Sequence, residues 1–187
     1  MRDYIKLGGI LLIITFTVAL ALSVVNSVTK DKIAQLALTA QSEAAKAVIE
    51  GEPQKNTEVS HNPSGKTSVD KISEHKIENG EKVYSVSCKP VGYAGEIAMT
   101  VGLDNNLTVT GVIITGMNET PGLGTKAKEP SFIEQFLSKK EGVSVIKDTP
   151  NANQVKAISG ATITSKAVAK GVNDAISEVK AIAGGGK

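Results

Sequence analysis

The residues of this chain best placed to do chemistry are the hydroxyls crowded into Ser159-Gly160-Ala161-Thr162-Ile163-Thr164-Ser165. A short apolar run, Val155 to Ile158, precedes them and reads as a strand. Ser165 or Thr164 is placed to cap a helix. From Ser165 on, Val168, Val172, Ile176 and Val179 recur at helical intervals. Gly160 frees the backbone to turn between the two elements. Small residues at such a turn let backbone N–H groups approach a ligand, and the helix dipole favours negative charge there. The chemistry on offer is phosphate binding with hydroxyls at hand. On these residues alone, a plain Ser/Thr-rich cap on a C-terminal helix accounts for them as well.

A second polar group lies upstream, in Gly116-Met117-Asn118-Glu119-Thr120-Pro121-Gly122-Leu123-Gly124-Thr125-Lys126. The Pro-Gly pair and the following glycine prevent regular structure, so the polar side chains are expected on display in a loop. A surface turn is the bland alternative. Other chemistries are excluded more firmly. The chain has one cysteine, Cys88, so it can form neither an internal disulfide nor a cysteine metal cluster. Its two histidines, His61 and His75, stand in polar surroundings and read as exposed loop imidazoles, since zinc sites need three or four protein ligands. A net charge of +2 over 187 residues, with no Trp, points away from nucleic acid. No Gly-x-Gly-x-x-Gly follows a strand, so no nicotinamide fingerprint is present.

These residues need elements to hold them. Residues 7–25 are an almost unbroken apolar run, about nineteen residues and long enough to span a bilayer as a helix. Residues 1–6 then form a short cytoplasmic N-terminus. Ala19-Leu20-Ala21 leaves a cleaved signal peptide as the competing reading. Ile33, Leu36, Ala40, Ala44 and Ala47-Val48 continue the helical period, so residues 26–50 read as a stalk helix. The remainder is placed outside the cytoplasm. Residues 51–68 have linker composition, and a compact domain is expected over 69–183, with 184–187 a disordered tail.

Within that domain, Lys82 to Cys88 alternates as a half-buried strand, with Tyr84, Val86 and Cys88 on the inner face. Cys88 is then a small core hydrophobe. Glu96 to Leu103 and Leu107 to Thr115 form a hairpin about Asp104-Asn105-Asn106. Pro130 opens a helix whose apolar stripe is Phe132, Ile133, Phe136 and Leu137, core rather than ligand-stacking, with Lys139-Lys140 a solvated end. Val143 to Ile146 is a short strand and Asp148 to Asn153 a polar turn. The fold class is α+β: one transmembrane helix plus a small antiparallel or mixed sheet flanked by helices.

Three of these stretches carry a resemblance. Ser159-Gly160-Ala161-Thr162 opening a helix, the complete Glu119-Thr120-Pro121-Gly122-Leu123-Gly124, and the weaker Gly92-Tyr93-Ala94-Gly95 occur in order. Together they resemble the signatures of bacterial FMN-binding domains. That family holds the G subunit of the Rnf complex and the C subunit of the sodium-pumping NADH:quinone reductase. The resemblance implies FMN joined through its phosphate to Thr162. Thr164 and Ser165 are the hydroxyls a misreading would pick instead. Ser159, Gly160, Ala161 and Thr164 would flank the phosphate, and Glu119, Thr120, Leu123 and Gly124 would lie against the isoalloxazine or ribityl chain. Lys156 stands where the family commonly has Asp, and a cation there can assist a phosphate.

The resemblance also implies partners: other flavin and iron–sulfur subunits, the membrane, and a flavin transferase that uses FAD and magnesium. The expected function is electron relay in an Rnf-type ferredoxin:NAD oxidoreductase coupled to Na+ or H+ translocation, without substrate turnover of its own. Alternatives are a C-type subunit of the quinone reductase, favoured less by the shortness of the chain, and a tethered scaffold domain that has lost flavin. A free-standing extracytoplasmic flavin reductase would need a substrate pocket or further domain.

Overall fold

The computed structural model describes residues 2–49, 53–59, 67–77 and 80–184. The chain divides into two compact units, Met1–Thr39 and Ala40–Lys187. Helix α1 runs Arg2–Ala47 and supplies the whole described part of the first unit. Its apolar side chains from Tyr4 to Leu38 face outward, and among the described residues it is the one helix long and apolar enough to cross a membrane.

The second unit is built on a five-stranded antiparallel meander: β1 (Pro53–Val59), β2 (Val69–Ile77), β3 (Lys82–Cys88), β4 (Ala98–Leu103) and β5 (Val109–Gly116), in that spatial order. The expected linker over 51–68 therefore contains a strand. Its polar composition suits an edge, where pairing with β2 alone holds the backbone. The hairpin strands are as anticipated apart from their ends, Glu96 being held by an isolated bridge to Val91.

Both faces of the sheet are covered. Helix α3 (Thr162–Gly184) lays Val168, Val172, Ile176 and Val179, all buried, on the face that carries Tyr84, Val86, Cys88, Met99 and Val101. Ser68 closes this layer by donating from its amide and hydroxyl to Asp174 Oδ2 at 2.8 and 2.6 Å. On the other face Val48 and Ile49, just beyond α1, pack against Val83. Gly102 and Gly111 stand opposite one another in β4 and β5, and the room they leave is filled by Val48. Thr110 Oγ1 donates to Val48 O at 2.6 Å, and Gln41 Nε2 to Ser87 Oγ at 2.6 Å.

This second covering corrects two expectations. β3 is buried on both faces, Val83 and Ser85 as well as Tyr84, Val86 and Cys88. His75 is no loop residue: it lies in β2 opposite Val83, is buried, and shares a 2.8 Å hydrogen bond with Ser85 Oγ. Burial holds its pKa below the ordinary value. Cys88 is buried as expected, and burial pushes its thiol pKa up, which keeps it inert.

Pro130 does open helix α2 (Pro130–Ile133), but the element tightens at once into a 3-10 turn, Glu134–Phe136. Phe132 and Phe136 are buried edge to face, centroids 5.4 Å apart. Leu137 leaves the helix in an extended conformation and turns outward. Two short parallel strands, β6 (Ser144–Ile146) and β7 (Gln154–Lys156), lead to α3. Gly184 ends that helix rather than starting a tail; residues 185–187 and His61 lie outside the described residues.

Candidate functional site

The turn between β7 and α3 is tighter than its sequence suggests. β7 stops at Lys156, and Ala157 N–H reaches across to Ile146 O at 2.7 Å. Gly160 takes a positive φ of 78°, and α3 begins at Thr162, three residues ahead of Ser165. Neither Thr164 nor Ser165 is therefore the cap. Ser165 Oγ instead accepts from Ile158 N–H at 3.0 Å and donates to Ala161 O at 2.9 Å, stitching the turn from inside. The first intrahelical bond is Ser165 N–H to Ala161 O. The amides of Thr162, Ile163 and Thr164 thus precede it and are left for an incoming acceptor.

The four hydroxyls of this turn are sorted by burial, with Ser159, ahead of the helix, exposed. Ser165 and Thr164 are wholly buried, whereas Thr162 is half-exposed and, among the described residues, has no protein hydrogen-bond partner. Thr164 Oγ1 donates to Glu119 Oε2 at 2.7 Å. Glu119 is the surprise of the second loop. Its sequence context puts it on display, yet it is 4% exposed. Its other oxygen accepts from the amides of Tyr93 and Ala94 at 2.8 and 3.2 Å. Room for the carboxylate comes from two glycines: a Cβ at Gly92 would strike Oε1, and one at Gly124 would lie 2.6 Å from Oε2. The side chain therefore ties three segments together: the Gly92–Gly95 loop, its own loop and the start of α3. Thr120 and Leu123 stay exposed, with Leu123 against Gly160.

Between these segments lies a cleft of about 820 Å3, within the ~300–1,000 Å3 common for small-molecule sites. It is lined by every residue singled out from sequence: Glu119, Thr120, Leu123, Gly124, Ser159, Gly160, Ala161, Thr162 and Thr164. Lys156 lines it too. Sequence reasoning missed five contributors, among them Ala157 and Ile158, read only as the end of a strand. Tyr93 shows in the sequence only as part of a glycine pattern, Ile163 only as a spacer, and Lys147 carries no signal at all. Lys147 follows β6, which runs parallel to β7, so both strands deliver a lysine to the same end. The cleft thus offers free helix amides, the hydroxyls of Thr120, Ser159 and Thr162, two cations and an apolar wall of Tyr93, Leu123 and Ile163. That donor set suits an anionic phosphate attached to a flat apolar group.

Comparison with known proteins gives the same ligand class. The FMN-binding domain family matches residues 92–177. The G subunit of the Na(+)-translocating ferredoxin:NAD(+) oxidoreductase complex of Acetobacterium woodii is 38% identical over 91% of this chain and 89% of its own length. The G subunit of the proton-translocating ferredoxin:NAD(+) oxidoreductase complex of Clostridium ljungdahlii is 43% identical over 54% of this chain and 56% of its own. Among solved structures, the C subunit of the Na(+)-translocating NADH-quinone reductase from Parabacteroides distasonis shares the fold. Its TM-score is 0.53, at 22% identity, over 68% of this chain and 77% of that one.

Proposed function

This chain belongs to the FMN-binding G-subunit family of ion-translocating oxidoreductase complexes, and from that premise we propose that it is a membrane-anchored electron relay carrying FMN covalently on Thr162. The observation that carries the reading is the free, half-exposed Thr162 hydroxyl, which alone stands at the first position of α3, with Thr164 and Ser165 after it buried in other bonds and Ser159 outside the helix. The residues present fit the group. The amides of Thr162 to Thr164, with Lys147 and Lys156, hold the phosphate. Tyr93, Leu123 and Ile163 supply the apolar wall for the ring.

FMN supplies one- and two-electron transfer when bound. The chain's own residues position it, shield one side from water and deliver cations to its anionic end. Attachment is a phosphoryl transfer: the Thr162 oxygen gains the bond to the FMN phosphorus of FAD, the hydroxyl proton is lost, and AMP leaves. A magnesium-dependent flavin transferase performs it. Residues 7–25 anchor the chain, residues 26–47 continue the helix, and the sheet-bearing second unit, Ala40–Lys187, stands on the extracytoplasmic side. There it exchanges electrons with flavin or iron–sulfur subunits of an Rnf-type ferredoxin:NAD oxidoreductase coupled to Na+ or H+ translocation.

The test is the mass of the denatured protein after co-expression with a flavin transferase. Cleavage after Lys156 and Lys166 isolates residues 157–166, which hold all four candidate hydroxyls. An FMN phosphoester on Thr162, lost in Thr162→Val with the fold intact, is the expected result. Flavin retained in that variant would move the attachment to Thr164 or Ser165. An unmodified wild-type peptide, with the transferase active on a control, would favour a scaffold that has lost flavin.

A further inference from the structure

We propose that Glu119 does more than tie three segments together: its buried negative charge sets the reduction potential of the bound flavin and holds it low. The proposal rests on the flavin-relay reading above. Among the described residues Glu119 is the one carboxylate that lines the cleft, and it is 4% exposed. Its partners there are three neutral donors, the Tyr93 and Ala94 amides and the Thr164 hydroxyl, with no cation among them. A carboxylate without a counter-ion is costly to bury. Two glycines are nevertheless given over to it, since a Cβ at Gly92 or Gly124 would run into its oxygens. The tie alone does not need the charge. A glutamine side chain can make the same three contacts: its carbonyl oxygen accepts from both amides, and its NH2 donates to the Thr164 oxygen. What only the carboxylate adds is a fixed negative charge at the ligand.

That charge lies close to the attachment point. Thr162 and Thr164 stand two residues apart at the start of α3, about 5 Å between Cα atoms. Glu119 Oε2 is 2.7 Å from Thr164 Oγ1, so a group tethered to Thr162 and lying in the cleft comes within about 10 Å of the carboxylate. Two like unit charges about 10 Å apart, at an effective dielectric of about 20, oppose one another by roughly tenfold in an equilibrium constant. Reduction brings such a charge. A reduced iron–sulfur or flavin centre of the complex is oxidised, and the electron it gives up enters the cleft. Lys147 and Lys156 pull the other way, but both are exposed and screened by solvent. Glu119 is shielded by neither water nor a counter-ion.

The experiment is a redox titration of the full-length chain in detergent, flavin-loaded by co-expression with a flavin transferase, beside Glu119→Gln and Thr164→Val. In Glu119→Gln the midpoint potential is expected to rise by about 59 mV, the one-electron equivalent of tenfold. The flavin mass of the denatured chain and the urea midpoint are expected to match those of the unsubstituted chain. Thr164→Val breaks the tie but keeps the charge, so its potential is expected to stay at or below the unsubstituted value. An unmoved potential in loaded Glu119→Gln would overturn the proposal. So would an equal rise in both variants, the result of a loosened loop rather than a lost charge. A rise in Thr164→Val overturns it even where Glu119→Gln fails to fold. Failure of the flavin reading shows separately, as missing flavin mass in the unsubstituted chain before any potential is read.

Discussion

Glu119 gave up its water for three hydrogen bonds, two from backbone amides and one from Thr164, with a glycine pressed against each oxygen. Removing the carboxylate leaves one buried and two part-buried donors, a buried one costing about 1–3 kcal/mol when unpaired and the others less. Glu119→Ala should therefore lower stability by roughly 3 kcal/mol in urea unfolding. Thr164→Val removes one donor and leaves the carboxylate its two amides, so about 1 kcal/mol is expected. The double variant should fall short of the sum, since both changes act on one network. Additive losses would show that the bond contributes nothing. This arrangement was illegible in the sequence. Nothing within the loop says that Glu119 is buried, because its partners lie 25, 26 and 45 positions away. The hydroxyl cluster was legible, but burial ranks its members, and burial belongs to the fold.

At the scale of elements, periodicity was a good guide where one face is buried and a poor one elsewhere. The spacing of Val168, Val172, Ile176 and Val179 gave α3 its inner face, though not its start, which the strand-to-helix turn sets at Thr162. β1 escaped notice because an edge strand can be polar throughout. The end of α1 carries a sharper lesson. Glycines inside two adjacent strands signal a close approach, and here the approaching group is Val48. A Cβ at Gly102 would collide with the Val48 carbonyl oxygen. Gly102→Val should lift that turn off the sheet at a cost of about 1–3 kcal/mol. Hydrogen exchange should quicken at the Val48 and Ile49 amides and stay slow in α3. Uniform quickening would mean that the whole sheet depends on this contact.

For the whole domain, covering the sheet on both sides imposes a dependence on pH. His75 lies in the layer between the sheet and the residues beyond α1, and burial lowers its pKa below the ordinary 6.5. The unfolded chain therefore binds the proton more tightly than the folded one. The contribution of neutral His75 is complete above pH 6.5, and it is lost as pH falls from there through the folded value. Urea midpoints measured downward from about pH 7.5 should fall in that window, and His75→Gln should flatten the fall. An identical slope in the variant would assign it to other groups.

The bond between Glu119 and Thr164 also fixes an order of events. The strands pair with their neighbours in sequence, but α3 docks across long separations, 45 residues for this bond and 106 for Ser68 to Asp174. Such contacts form late, after local hairpins have closed. On the proposed reading, Thr162 is presented at a helix start only when the last segment of the chain has settled. Labelling then works as a checkpoint in biogenesis. A truncated or misassembled chain leaves the pathway colourless, and the flavin carried per molecule counts the copies that finished folding.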